Sequence, residues 1–381
     1  MEQLYILYDA YQPSTAGTNH LLAYAKGIAE HGVSVTVFYL CPDNKLSKAS
    51  DSTNLSHVYL WEQQRIKRFN KYSTSLVSLC RFMHLMKRNI PVFIMGVSVF
   101  LPLICMKRHF KIYHERTEHP EVSGRMHGAI GNVLFSWYKK ALLKLDGLFV
   151  ISENLRKCFV TDYRVEEEKV HVINMVVDAN RFSTIKKKTQ GQVIAYCGTA
   201  SNNKDGVDEL IKAFSITIKK HPESRLKIIG KTPDKGQAFE NARLVEKLGI
   251  IDKVEFLGIV SYEEMPQMLT DADILALDRP DNQQAKYGFP TKLGEYLLTG
   301  NPVVVTKVGD IPNFLTHGIN AMLAQPENPQ DFSDKICWLI EHPVDAASIG
   351  ASGRDVAMRE FNYKIESQKV IEVIFGTSIS K

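Results

Sequence analysis

The chain has 381 residues, 44% apolar and 23% charged, with a net charge of +5. That length is too great for one comfortable core and fits two domains of about 150 to 200 residues. The composition is that of an ordinary globular protein, which excludes disorder over any long stretch.

In the first half, strands are expected at 4–9, 34–40, 57–61, 92–96, 110–114 and 148–152, where short apolar runs alternate with helix-length segments. The segment "TNHLLAYAKGIAEHG" (18–32) reads as a helix closed by Gly32 and makes residues 4–40 one βαβ unit. The apolar run "IPVFIMGVSVFLPLICM" (90–106) is shorter than the roughly 20 residues that span a bilayer, so a strand followed by a helix is expected there. A hinge-like stretch, 173–192, leads to a second series of strands at 193–198, 225–230, 254–258, 274–278, 302–306 and 321–325. Helices are expected between and after them at 206–221, 238–249, 262–272, 291–300 and 329–342. This is the pattern of two doubly wound α/β domains in tandem, in which ligands sit at the carboxyl ends of the strands.

The six cysteines lack C-x-x-C spacing and read as reduced thiols. No signal-peptide pattern opens the sequence, so a cytoplasmic protein is expected. Charge is uneven: residues 1–180 hold 22 Lys and Arg against 16 Asp and Glu, and the remainder 25 against 26. From Gln63 to His114 there is no acidic residue, while Arg65, Lys67, Arg68, Lys71, Arg81, Lys87, Arg88, Lys107, Arg108 and Lys111 all fall there. Such a stretch attracts anionic lipid headgroups at about 1 kcal/mol per basic side chain. A peripheral place on the inner membrane face through residues 65–111 and a merely solvated basic face are the two readings.

Several loops carry candidate chemistry. In "YGFPTKLGEYLLTGNPVVVT" (287–306), Pro290 opens a helix and Gly300-x-Pro302 closes it, so amides around Gly288, Thr291 and Lys292 offer an anion site at a helix N-terminus. Glu295, further into that helix, could accept bonds from ligand hydroxyls; spacing alone favours instead a surface partner of Lys292. In "CGTASNNKDGVDELIKAF", Lys204 precedes a helix expected to start near Gly206 and offers a point charge to a diphosphate. Gly17, between the first strand and helix, would let a ligand approach the backbone. The segment "YHERTEHPEVSGRMHG" crowds His114, Glu115, Arg116, Glu118, His119, Arg125 and His127 just after a strand and reads as a polar active-site rim. No G-x-G-x-x-G follows the first strand and no P-loop pattern occurs, which removes the main support for a dehydrogenase or a P-loop enzyme. "DAD" (271–273) has a metal-like spacing that capping and turn chemistry also explain.

Taken together, "GFPTKLGEYLLTGNPVVVTKVGDIPNFL", "AYCGTASNNKDGVDELIKAF", "LKIIGK", "VEFLGIVSYEEMPQML", "DADILAL" and "INMVVDANRF" resemble the retaining glycosyltransferases of family 4, most specifically over residues 145–345. The resemblance implies the GT-B architecture: two Rossmann-like domains facing across a cleft. Residues 1–175 would bind the acceptor, 176–360 the nucleotide sugar, and 361–381 would form a helix crossing back to the first domain. It implies a UDP- or GDP-sugar donor and an acceptor glycan or lipid-linked saccharide, as in surface polysaccharide or glycolipid synthesis. No cofactor, metal or nucleic acid is implied. Lys204 matches the family's diphosphate lysine and Glu295 the second glutamate of its E-x7-E motif, which holds ribose hydroxyls. Gly288, Phe289, Pro290 and Thr291 match the segment whose backbone lies against the phosphates and sugar, with Lys292 beside it. Gly17 matches the glycine loop and His114 the histidine beside the transferred sugar; with Lys204 and Glu295, His114 forms the expected catalytic set. Two positions depart from the pattern: Tyr287 stands where the first glutamate belongs, and Thr199, counted in the donor site, stands where an arginine belongs. Lys292 or Lys231 would then share the phosphate charge. A sugar-nucleotide 2-epimerase and a non-catalytic sugar-nucleotide-binding protein are the alternatives.

Overall fold

The structure is a computed structural model that describes all residues except 13–14, 41–50, 61–70, 97–100, 106–108, 123–127, 189–190, 231–235 and 377–381. Arg65, Lys67, Arg68, Lys107, Arg108, Arg125, His127 and Lys231 therefore lie outside the described residues. The chain forms two compact units: Met1–Val176 with Tyr363–Lys381, and Val177–Asn362.

The first unit contains β1 (Gln3–Tyr8), α1 (Ala16–Glu30), β2 (Ser34–Tyr39), β3 (Leu55–Tyr59), α2 (Lys71–Leu85), β4 (Val92–Ile94), α3 (Leu101–Ile104), β5 (Ile112–Arg116), α4 (Gly128–Leu142), β6 (Gly147–Val150), α5 (Glu153–Thr161) and β7 (Val170–Val172). Its seven strands are all parallel, in the order β3-β2-β1-β4-β5-β6-β7. Strand β3 starts at Leu55, not 57, because its ladder begins opposite Val35 near the start of β2. β5 runs on to Arg116, since its pairing with β6 continues through Arg116↔Val150. Strand β7 is too short, and too close to the acidic run 166–168, to stand out in the sequence; it exists by pairing with β6.

The second unit contains β8 (Val193–Gly198), α6 (Asn202–Asp205), α7 (Val207–Lys220), β9 (Arg225–Gly230), α8 (Gln237–Lys247), β10 (Val254–Gly258), α9 (Met265–Thr270), β11 (Ile274–Leu277), α10 (Gln283–Tyr287), α11 (Thr291–Leu298), β12 (Val303–Thr306), α12 (Ile311–Phe314), β13 (Met322–Ala324), α13 (Pro329–Glu341) and α14 (Pro343–Glu360). Its six strands are parallel, in the order β10-β9-β8-β11-β12-β13. Both sheets are thus doubly wound, with order reversing beside β1 and beside β8. Buried runs such as "VVVT" of β12 have no polar alternation because both sheet faces are covered. Helix α14 packs on α11 with Gly350 against the Gly300 and Asn301 backbone; a Cβ there would meet Asn301 carbonyl carbon at 2.8 Å. Its small-residue face "AASIGASG" carries little of the apolar period that marks a helix in sequence.

The last helix, α15 (Tyr363–Phe375), belongs to the first unit and packs along α1. Gly27 of α1 makes this approach possible, for a Cβ there would lie 2.9 Å from the Tyr363 carbonyl oxygen. The fully buried Glu366 carboxylate accepts a bond from the Asn174 amide at 2.8 Å and the Lys369 ammonium at 2.6 Å, while Tyr24 donates to the Asn174 carbonyl at 2.8 Å. Both backbone groups of Asn174 are held in this way, which a buried peptide unit requires.

Candidate functional site

The carboxyl edge of the second sheet gathers most of the candidate residues. Strand β8 ends at Gly198, Thr199 follows it exposed, and Ser201 caps the single turn α6 by accepting from the Lys204 amide at 3.3 Å. That turn stops at Gly206, whose φ of +59° only glycine adopts cheaply, and α7 begins directly after it. Gly206 also faces the Asp278 carbonyl so closely that any Cβ would overlap it. Lys204 therefore lies inside a short helical turn, exposed, rather than ahead of one long helix. Its carbonyl accepts from Arg279 Nε at 3.4 Å, and Asn282 Nδ2 donates to the Asn203 carbonyl at 2.6 Å, so the loops after β8 and β11 hold each other.

Helix α11 begins at Thr291 with Pro290 at its N-cap, which supplies no side-chain acceptor. Its first turn carries no acid, leaving donors and a positive dipole end at the edge of the sheet. Gly288, Phe289 and Pro290 are buried; the Phe289 ring sits 5.3 Å from Phe314 and 5.4 Å from Phe361, so its side chain is a packing anchor that fixes the loop. Thr291, Lys292 and Glu295 are half-buried.

Lys292 does not pair with Glu295. Its Nζ lies 2.5 Å from Asp205 Oδ2 and 3.2 Å from the Tyr196 hydroxyl, which donates to the same carboxylate at 2.7 Å. Burial works against the Asp205 charge, yet the Lys292 ammonium and the Tyr196 hydroxyl outweigh it and hold the carboxyl below its usual pKa. Gly198 is required here, since a Cβ would run into Lys292 Nζ and the Tyr196 hydroxyl. A cation thus lies against the backbone next to Thr199, with its charge matched by Asp205.

Glu295 is engaged from another direction. Arg181 lies on the 3-10 turn Ala179–Phe182, capped by Asp178, and its Nη1 donates to Glu295 Oε1 at 2.5 Å. Arg181 Nη2 donates to the Tyr262 carbonyl at 2.6 Å, and the guanidinium lies 3.6 Å from the Tyr262 ring centroid. Arg181 belongs to the segment "INMVVDANRF", but only the fold brings it to Glu295, 114 residues away.

Asp278, just beyond the end of β11, is another residue that nothing in the sequence marked. It is buried beside Asp208 and Glu209, with Oδ2 unpartnered among the described residues; burial and those two carboxylates push its pKa up to about 8. The aspartates of "DAD" act as anchors for the segment before β8: Asp271 accepts from the Lys188 amide at 2.8 Å, and Asp273 from Lys187 Nζ at 2.6 Å and the Val193 amide at 2.8 Å. Among the described residues no group of three or more His, Cys, Asp and Glu is placed to hold a metal.

The first unit places its candidates differently. Gly17 lies in the first turn of α1, where a Cβ would stand 2.6 Å from the Tyr8 hydroxyl; the space it leaves is used by Tyr8 rather than open. His114 is inside β5 and fully buried, its Nδ1 3.0 Å from the Ile94 carbonyl oxygen. Burial and then the neighbouring Arg116 push its pKa down to about 3. The rim expected just after the strand is instead the strand's own buried end: Glu115 pairs with His20 of α1 at 2.7 Å, and Arg116 lies 5.9 Å from the Tyr138 ring. His119, in the loop beyond, is also buried, with Nδ1 accepting from the Glu121 amide at 3.2 Å.

Comparison with known proteins decides the family. Residues 17–181 match the family described as Glycosyltransferase Family 4, and residues 191–342 that described as Glycosyl transferases group 1. The chain belongs to the family 4 glycosyltransferases. It is 26% identical over 235 residues to the mannosylfructose-phosphate synthase of Agrobacterium fabrum, covering 58% of this chain and 50% of that one. It is 23% identical over 244 residues to the MMP alpha-(1->4)-mannosyltransferase of Mycolicibacterium hassiacum, covering 62% and 57%. The chain thus spans about half the length of these curated relatives. Among solved structures, Anabaena HepE in complex with UDP-glucose superposes with a TM-score of 0.75 at 16% identity, covering 99% of this chain and 100% of that one. Sucrose-phosphate synthase from Thermosynechococcus elongatus gives 0.76 at 15%, covering 98% of each. These glycosyltransferase structures share the two-sheet α/β fold, and the GT-B fold class expected from the sequence is the one observed.

Proposed function

We propose that the protein is a retaining glycosyltransferase that moves a sugar from a UDP- or GDP-sugar to a hydroxyl of a glycan or lipid-linked saccharide, in surface polysaccharide or glycolipid synthesis. The observation that carries the reading is the carboxyl edge of the second sheet, where exposed Lys204, the start of α11 without a side-chain cap, and Glu295 combine a cation, a positive helix end and a carboxylate. Such a set suits a nucleoside diphosphate, with phosphates on the amides and lysine and the ribose diol on Glu295. The HepE complex with UDP-glucose, a protein of the same fold, supports a nucleotide-sugar donor.

As the glycosidic bond breaks, negative charge collects on the leaving diphosphate. Lys204 and the α11 amides stabilise it, so the reading is metal-independent. The acceptor hydroxyl attacks from the same face and its proton passes to the departing phosphate, which retains the anomeric configuration. Proton NMR of the first-formed product tests this: retention is expected, and inversion overturns the mechanism. Transfer unchanged by EDTA is expected, and loss restored by a divalent cation overturns metal independence. Thermal shifts with UDP-, GDP- and ADP-sugars identify the donor, because ligand that binds the folded state raises its stability by mass action.

No helix among the described residues is long and apolar enough to cross a membrane. The proposed membrane contact is peripheral, through residues 65–111. It is supported by α2, which exposes Leu76, Val77 and Leu85 alongside exposed Arg81, with exposed Lys87 and Arg88 just beyond its end. Co-sedimentation with anionic vesicles at low salt but not at high salt is expected; no binding at low salt makes the stretch a solvated basic face.

A further inference from the structure

We infer that Arg181 is the positioning residue that aims Glu295 at the ribose of the donor, and that it thereby makes the site selective for ribonucleotides over deoxyribonucleotides. This rests on the proposed ribose role of Glu295.

The guanidinium is held at three points. Nη1 reaches Glu295 at 2.5 Å, Nη2 the Tyr262 carbonyl at 2.6 Å, and its flat face the Tyr262 ring at 3.6 Å. Its backbone is equally constrained: the Arg181 amide donates to the Asp178 carbonyl at 3.2 Å, and the next residue, Phe182, is buried. The pair is largely shielded, with side-chain exposures of 13% for Arg181 and 23% for Glu295. A planar fork on an aromatic face is a fixed object in a way that a lysine ammonium is not.

Holding Oε1 in this way takes up the rotational freedom that a glutamate on an exposed helix face keeps, and directs Oε2 as the remaining acceptor. A carboxylate fixed before binding does not lose that freedom when a diol arrives, so the ribose contact is made at smaller entropic cost. Tyr287, where a second carboxylate would be expected, leaves Glu295 as the acid of this helix region and raises the weight on its orientation.

The test is calorimetric titration of UDP, GDP and their 2′-deoxy counterparts into the full-length protein, into Arg181→Gln, Arg181→Lys and Tyr262→Leu, and into Glu295→Gln. With the tighter-binding base, the unaltered protein is expected to prefer the ribonucleotide by about tenfold or more, the loss of one hydrogen bond to a charged group. In Arg181→Gln that preference should fall to about twofold or less while deoxynucleotide affinity changes less than about twofold; Arg181→Lys and Tyr262→Leu should lie between. With a donor sugar, KM should rise several-fold more than kcat falls. An unchanged preference in Arg181→Gln, or an equal loss for both nucleotides, overturns the inference. Should Arg181→Gln fail to fold, an unchanged preference in both Arg181→Lys and Tyr262→Leu does the same. Glu295→Gln tests the underlying reading separately: a preference that survives it removes the ribose role of Glu295 itself, whereas a preference lost there but kept in Arg181→Gln removes only the positioning role.

Discussion

The two sheets share one architecture yet treat charge at their carboxyl edges in opposite ways. In the second unit the cation and the carboxylate of interest lie beyond the strand ends, on the turn α6 and the helix α11, where Lys204 is exposed and Glu295 half-buried. In the first unit His114, Glu115 and Arg116 lie within β5 itself and are buried, with Glu115 satisfied by His20. Groups outside the strands keep contact with solvent. Groups inside them must be neutral or paired, since burying an unpaired charge costs several kcal/mol.

Four measurements sharpen or break this contrast. The largest effect is expected from Lys204→Ala, which should lower transfer by about 100- to 1,000-fold, the loss of one preorganised charge on the leaving group. Because Lys204 is exposed, its melting temperature should stay near that of the unaltered protein. Full activity would detach the second edge from the chemistry.

Gly206→Ala should come next, destabilising by about 2–4 kcal/mol in urea unfolding. Its φ is +59° and its Cβ would overlap the Asp278 carbonyl, so strain and clash add. An unchanged midpoint would mean that the loop does not hold Lys204 as described.

Asp278→Asn is expected to stabilise, by about 1–3 kcal/mol at pH 8 and by little near pH 4. The folded pKa, pushed up to about 8 by burial and by Glu209 and Asp208, lies above the ordinary carboxyl value. The unfolded state therefore loses this proton first, and stability is shed as pH rises through roughly 4 to 8. Urea melts across that range should show the slope in the unaltered protein and a flatter line in the variant.

His114 works with the opposite sign and is expected to give the smallest effect. Burial and Arg116 hold its folded pKa near 3, so as pH falls below about 6.5 the unfolded chain takes up a proton that the native state refuses. Its contribution is whole above that pH and is lost toward pH 3. His114→Gln should flatten this slope by about 1–2 kcal/mol; an unaltered slope would place His114 in contact with solvent.

Much of this was legible along the chain. The alternation of apolar runs with helical segments gave the doubly wound units, because parallel strands buried on both faces must be continuously apolar. The loops "CGTASNNKDG" and "YGFPTK" marked where helices start, since turn glycines and an N-terminal proline are local chemistry. Helices α2, α4, α5, α6, α10, α12 and α14 and strand β7 were not picked out; α14 shows why, because its fit depends on small residues meeting a neighbouring backbone rather than on an apolar period.

Residue identity by itself determined which side chains could carry charge to the second sheet's edge: Lys204, Lys292 and Glu295. Their partners were decided by the tertiary structure alone. Spacing put Lys292 and Glu295 together as a surface pair, yet folding gave Lys292 to Asp205 and Tyr196, and Glu295 to Arg181 on the segment before β8. The physical reason is that an ion pair three residues apart on an exposed helix is worth only a few tenths of a kcal/mol. A buried carboxylate or a guanidinium stacked on an aromatic ring offers more, and only the folded unit brings those partners within reach.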